Sequence, residues 1–201
     1  GIACDVAKLA PGTCLMGFLT TVGQKMWRRP LTAAELASLT SLFTTTSGQG
    51  GTSSAVVSVV QALFLSPKFL HRTELGNVTQ PGLVTQLTDH EIASSLSYLL
   101  WDSAPDDELL GLAGQSKLRD KTVLLAQAKR LFAAKERSAP TITNFLRQWL
   151  RLENLAFAIK DVAVFPTSET LPTVIADLGE ELGLLTNSIL FDAGGDRSFK
   201  T

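Results

Sequence analysis

His71, His90, Cys4 and Cys14 are the residues of this chain best suited to hold a transition metal. A structural zinc site needs such ligands at spacings that let them converge on one ion. Here the cysteines flank a short loop and the histidines lie far from it, so the spacing matches no zinc pattern and no metal is expected. Haem held by His71 or His90 with Met16 or Met26 is a second conceivable set, with nothing in the spacing to favour it, and no cofactor is expected. Asp106, Asp107 and Glu108 offer three carboxylates in a row. Neighbouring residues on a helix point in different directions, so the three read as the capped, acidic first turn of a helix. Asp192 and Asp196, around Gly194 and Gly195, make a loop too short for an EF-hand. No Ser or Cys stands in a G-x-S-x-G context, and Gly48 to Gly51 lacks the Lys-Ser/Thr of a phosphate-binding loop. The sequence leaves open whether the chain is an enzyme.

Aromatic and cationic residues are the remaining candidates. A flat indole can stack on the apolar face of a sugar, which draws attention to Trp27, Trp101 and Trp149. Trp101 and Trp149 each end an apolar stripe, so burial in a core accounts for them more simply. Arg28 and Arg29 could clamp a substrate carboxylate, but an ion pair with Asp or Glu on a neighbouring helix is the better reading. Trp27, Trp101 and Arg28 together form the candidate ligand surface.

The elements that position these residues read as helices throughout. Leu15, Phe18, Leu19, Val22 and Met26 recur at helical spacing, and Pro30 ends that helix. Thr32 with Glu35 makes a capping box for the next, which carries Leu36, Leu39 and Phe43. Residues 44–54, rich in Thr, Ser and Gly, read as a loop. Val56, Val57, Val60, Leu63 and Phe64 form a further stripe, and Ser66-Pro67 restarts the chain as a helix. Residues 77–82 read as a loop. Thr88 with Glu91 caps a helix bearing Ile92, Leu96 and Leu99, and Asp120 caps one bearing Leu124, Ala128, Leu131 and Phe132. Ile142, Phe145, Leu146, Trp149 and Leu150 mark another. The last carries Ile175, Leu178, Leu182, Leu185 and Ile189 at alternating three- and four-residue steps, a seam of about two heptads. The expected fold is therefore all-α, a compact multi-helix bundle of roughly seven to nine helices with no significant sheet.

Bulk properties narrow the function. Hydrophobic residues make up 45% of the chain, enough for a real core and too much for disorder. A net charge of −1 offers no field for nucleic acid, so no nucleic-acid partner is expected. The longest apolar-rich run, from Ala55 to Leu65, is interrupted by Ser58 and Gln61 and falls short of the ~20 residues of a membrane span. No signal peptide is visible at Gly1-Ile2-Ala3-Cys4, so a leader would have been removed or lie upstream. Pairing Cys4 with Cys14 would close a small loop holding Pro11 and Gly12 and stabilise by roughly 3 kcal/mol. The alternative is two free thiols in a reducing compartment.

Four stretches in order carry a resemblance. They are Trp27-Arg28-Arg29-Pro30-Leu31-Thr32; Gln61-Ala62-Leu63 through Ser66-Pro67-Lys68-Phe69-Leu70 to Arg72; Leu87 through Glu91-Ile92-Ala93, Leu96-Ser97-Tyr98 and Trp101 to Pro105-Asp106-Asp107-Glu108-Leu109; and Gln148-Trp149-Leu150 with Leu152 and Leu155. Together they resemble the uncharacterised helical modules of large exported proteins of planctomycetes and myxobacteria, often found beside planctomycete-type cytochrome c domains. The resemblance covers nearly the whole chain. It implies an extracytoplasmic location, a fragment of a longer multi-domain protein, and a Cys4–Cys14 disulfide in the lead-in. It implies two helical modules packed together, residues 1–75 and 83–201. A cytochrome c partner domain is an implied neighbour, although no C-x-x-C-H motif occurs here, since Asp5 follows Cys4 and Leu15 follows Cys14. The expected function is a non-catalytic structural or interaction module that holds other domains or chains of its parent protein. An enzyme or accessory domain of polymer or carbohydrate turnover is the alternative.

Overall fold

The computed structural model describes residues 13–76, 85–152, 154 and 171–192. Cys4, the loop at 77–82, Leu155, and the glycines and Asp196 after Asp192 lie outside the described residues. The protein is all-α, with no strand among the described residues. Its helices are α1 (Thr13–Phe18), a π-helical turn (Leu19–Gly23), α2 (Gln24–Trp27), α3 (Ala33–Leu65), α4 (Pro67–Leu70), α5 (Asp89–Trp101), α6 (Asp107–Gly114), α7 (Lys121–Ala133), α8 (Lys135–Trp149) and α9 (Leu171–Leu190). No helix among them is long and apolar enough to cross a membrane. The chain divides into two compact units, Gly1–Tyr98 with Ser103–Val123, and Leu99–Asp102 with Leu124–Thr201.

The core of the first unit gathers Leu15, Phe18 and Leu19 from the first helical stretch, Trp27 and Leu31 beyond it, and Leu39, Phe43, Ala55, Val59 and Leu63 from α3. The helical stretch ends where Arg28 turns left-handed, at φ 59° and ψ 17°. A Cβ on Gly23 would stand 2.8 Å from a methyl carbon of Leu31, so a larger residue there would make the Leu31 side chain shift.

The expected loop at 44–54 is not one. Helix runs through it, interrupted at the single residue Gly51, whose φ of 78° and ψ of 174° leave the helical region. A straight helix of this length would span about 50 Å. Instead Lys68, beyond the far end of α3, forms an ion pair with Glu35 at its beginning, so the chain folds back at Gly51 into a helical hairpin. Thr, Ser and Gly are poor helix formers taken singly, but Leu39 and Phe43 before the turn and Ala55, Val59 and Leu63 after it bury one continuous face. The valine stripe is also displaced: Val59 is buried and Val57 and Phe64 are exposed. Only glycine adopts the Gly51 backbone without strain, and a Cβ there would meet nothing within 4 Å. Gly51→Ala is therefore expected to cost about 1–3 kcal/mol through backbone strain alone. Urea denaturation measures it; an unchanged midpoint would mean the hairpin turns elsewhere.

The caps lie where the sequence puts them. Thr32 and Glu35 form a reciprocal capping box at α3, and Ser66 caps α4 with Pro67 at its first position. At α5 the Thr88 N–H donates to Glu91 Oε2 at 2.7 Å and the Glu91 N–H to Thr88 Oγ1 at 3.2 Å. Asp106 accepts the Leu109 N–H at 2.9 Å as the cap of α6, while Asp107 pairs on the surface with Lys25 at 2.9 Å. Asp120 accepts the N–H groups of Thr122 and Val123. On α5 the buried face is Asp89, Ala93 and Ser97 rather than Ile92, Leu96 and Leu99, and Leu99 is exposed. Asp89 accepts the Leu118 N–H at 2.9 Å and pairs with Arg119 at 3.2 Å, tying the loop after α6 to the start of α5.

The second unit is built round Trp101, Leu131, Ser138 and Ala139, all buried. The Ser138 hydroxyl donates to the carbonyl of Phe132 at 2.8 Å and stitches α7 to α8 across Ala134. Phe132 stacks on Phe191 just beyond α9, with ring centroids 5.0 Å apart. Gly179 and Gly183 of α9 face Arg147 and Thr143 of α8. The expected core stripe of α8 is largely on the surface: Phe145, Trp149 and Leu150 are exposed, as is Leu185 of the α9 seam. The side chain of Ile175 lies outside the described residues. Trp149 is thus no core residue.

Candidate functional site

The first unit carries a groove of about 390 Å³, within the range that takes a small ligand. Trp27, Arg28 and Arg29 come to it from the end of α2, and Lys68 and Arg72 from α4 and the extended segment after it. Glu74 to Gly76 continue that segment, and His90, Glu91, Ser94 and Ser95 come from the first turns of α5.

Arg28 is the keystone of one wall. It is buried, and its guanidinium donates to the carbonyls of Lys68 at 2.7 Å and His71 at 2.9 Å, with longer bonds to Met26 and Phe69 at 3.4 Å. These include carbonyls at the end of α4, which has no following turn to satisfy them. Arg28 thus fixes α4 against the end of α2 and is a positioning residue.

Trp27 sits beside it. Its indole N–H donates to the carbonyl of Leu63 at 3.2 Å, which anchors the ring against α3. Arg29 and Lys68 lie over the ring at 5.9 Å and 5.0 Å from its centroid. Both cations converge on Glu35, Arg29 through a two-pronged pair at 2.8 Å and 3.0 Å. Glu35 also accepts the Thr32 N–H at 2.8 Å. The paired Arg29 holds the Glu35 carboxyl well below the usual carboxylate range, against the opposing effect of burial and with help from Lys68 and the Thr32 amide. The expected ion pair between the arginine pair and a carboxylate on a neighbouring helix is Arg29–Glu35. A sugar-stacking face is not available on Trp27, whose ring is buried and overlain by cations.

Glu91 anchors the facing wall. Besides its cap at Thr88 it accepts the N–H of Leu75 at 2.8 Å and of Gly76 at 3.1 Å, pinning the segment after α4 to α5. Burial pushes its carboxyl up, but the hydrogen bonds from Thr88, Gly76 and Leu75 together outweigh it and hold the pKa down. Glu74 accepts the hydroxyl of Ser95 at 2.5 Å. Tyr98, one turn further along α5, is flanked by Arg72 at 4.4 Å and Arg28 at 5.9 Å from its ring centroid.

His90 is half-buried, and its Nε2 is buried with no hydrogen-bond partner. Burial lowers its pKa, Asp89 opposes that, and nearby Arg29 lowers it further. Below the usual histidine value of about 6.5 the unfolded chain takes up a proton that the folded chain refuses. Stability is therefore expected to fall as pH drops from about 6.5 toward 5. Urea midpoints at the two ends of that window measure it. His90→Gln should flatten the slope, and a wild-type slope retained in that variant would place the effect elsewhere.

Of the sequence candidates, Trp27 and Arg28 come together in the groove. Trp101 belongs to the second unit, buried, with its indole N–H donating to the carbonyl of Leu131 at 2.8 Å. Cys14 is half-buried against the first core, and its expected partner Cys4 is outside the described residues. Among the described residues no three of His, Cys, Asp or Glu are grouped to hold a metal. Sequence reasoning missed Arg72 and Tyr98. Their positions, after the restart at Pro67 and on the capped helix α5, were in view, but nothing local marks them as neighbours.

Residues 87–200, over half of the chain, match the family model described as PSD4, protein of unknown function (DUF1592). Residues 14–74 match the one described as PSD5, protein of unknown function (DUF1595). Neither a curated protein nor a solved structure matches the chain.

Proposed function

The chain belongs to the PSD4 family (DUF1592), and from that premise we propose that it is a non-catalytic interaction module of a larger extracytoplasmic protein. The observation that carries this reading is the state of two carboxylates, Glu35, which holds the lining residues Arg29 and Lys68, and Glu91 in the lining itself. Glu35 joins Arg29, Lys68 and the cap of α3, while Glu91 caps α5 and pins Leu75 and Gly76. Both are held ionised by these bonds, and a carboxyl so held is a poor general acid. What remains outward is Arg72, Glu74 and the hydroxyls of Thr73, Ser94 and Ser95, a polar set that suits binding. The module would hold other domains or chains of its parent protein, with a cytochrome c domain as one candidate neighbour. Nucleic acid is a poor partner at a net charge of −1.

The test is to incubate the purified chain with soluble acidic and neutral polysaccharides and follow both retention and polymer length. Unchanged polymer length is the expected result, with any retention confined to the acidic polymers; new ends would establish turnover and end the non-catalytic reading. Export carries its own expectation. The non-reduced protein should be lighter by two hydrogens than the reduced one, through a Cys4–Cys14 disulfide. Intact-mass measurement decides it, and two free thiols in the freshly purified protein would remove the argument for an oxidising compartment.

A further inference from the structure

We propose that the groove on the first unit binds a single carboxylate borne on a hydroxyl-rich molecule, such as a uronic acid unit, with Arg72 as its anchor. The inference rests on the binding reading above and names its ligand.

Charge comes first. Counting Glu35, the groove sets Arg28, Arg29, Lys68 and Arg72 against three carboxylates. Arg29 and Lys68 are joined to Glu35, and Arg28 has given its donors to backbone carbonyls. Arg72 is different. Among the described residues it has neither a hydrogen-bond acceptor nor a carboxylate partner, and it is exposed. The groove thus carries an excess of one positive charge, and Arg72 is the guanidinium in it whose donors are unspent, while Glu74 beside it is engaged by the Ser95 hydroxyl. A singly charged oxyanion balances that excess, whereas a phosphate dianion would overshoot.

Geometry selects the carboxylate. Arg72 rests on the Tyr98 ring at 4.4 Å, so its guanidinium is held before any ligand arrives, and less entropy is lost on binding. A planar fork matches a planar carboxylate through two parallel hydrogen bonds. The neighbouring lining is hydroxylic. Thr73 has no hydrogen-bond partner among the described residues, and the hydroxyls of Ser94 and Ser95 donate to the His90 carbonyl and Glu74 with acceptor capacity to spare. These groups suit the ring hydroxyls of an acid sugar. The overlay of cations on Trp27 means recognition runs through charge and hydrogen bonds, and not through stacking.

Calorimetric titration with galacturonate, trigalacturonate, lactate and neutral maltotriose tests the proposal on the full chain. Galacturonate and trigalacturonate should bind, lactate more weakly, and maltotriose not at all. Trigalacturonate binding better than the monomer assigns the site to a polymer; equal binding assigns it to a free hydroxy acid. Arg72→Gln should weaken galacturonate roughly tenfold or more, since hydrogen bonds to a charged group are lost. Arg72→Lys should fall between, and Lys25→Gln, which removes the same charge outside the groove, should leave binding unchanged. Circular dichroism confirms that each variant folds. Equal binding of maltotriose, no heat with any acid sugar, or an unchanged affinity in folded Arg72→Gln overturns the carboxylate site while leaving the module reading intact. Cleavage of trigalacturonate would overturn the module reading instead.

Discussion

Trp101→Ala is expected to lower stability by about 3–5 kcal/mol. The ring is only 8% exposed. It ends α5, its indole N–H reaches the Leu131 carbonyl on α7, and the Arg137 guanidinium of α8 lies over it at 3.6 Å from the centroid. Within the second unit this side chain thus ties the last turn of α5 to α7 and α8. Truncation leaves a cavity, a carbonyl short of a donor and an arginine without its ring. Trp101→Phe should cost less, because most of the apolar area survives; in both variants the Leu131 carbonyl keeps only the Ala134 N–H at 3.3 Å. Urea denaturation followed by far-UV circular dichroism gives both values. An alanine variant within about 0.5 kcal/mol of wild type, the range of ordinary surface substitutions, would remove Trp101 from the core.

Glu35→Ala should cost about 2–3 kcal/mol, the sum of a lost cap and lost charge-assisted hydrogen bonds. Its carboxylate satisfies the Thr32 amide at the start of α3, holds Arg29, and ties Lys68 back across the hairpin. Without it, two cations stay beside the Trp27 ring with no counter-charge. Glu35→Gln keeps an acceptor for the amide and should fall between. The pH dependence has a definite sign. A carboxyl held low in the folded state stabilises fully above its unfolded value of about 4.5, and that contribution drains away as pH falls further. Wild-type protein should therefore lose stability below about pH 4.5 more steeply than the alanine variant. Parallel acid limbs for the two would mean that the ion pairs do not form in solution.

Local chemistry was legible in the sequence. Thr32 with Glu35, Thr88 with Glu91, Asp106 and Asp120 act on amides within three residues, so the residue types alone announce them. Period was legible but phase was not. α5 has apolar residues on several sides, and small Ala93 and Ser97 take the inner face while Leu99 stays out. Gly51 carries a chain reversal that composition spreads over eleven loop-like residues, 44–54, because a hairpin needs one residue outside the helical region once both arms share a core. The groove is the least legible part. Arg28 meets the carbonyls of Lys68 and His71, and Lys68 meets Glu35, across more than thirty intervening residues, and no spacing rule reaches that far. Trp27 and Arg28 could be singled out from their types, but their roles as a covered anchor and a backbone clamp come from the fold.

Amide hydrogen exchange of the full chain, with and without trigalacturonate, tests the account most directly. The groove should bind the acid and stay otherwise unchanged, so protection should rise in residues 68–76 and at the start of α5, through Ser95, and nowhere in α8 or α9. Protection confined to Phe145, Trp149 and Leu150 on α8, or none at all, would contradict it.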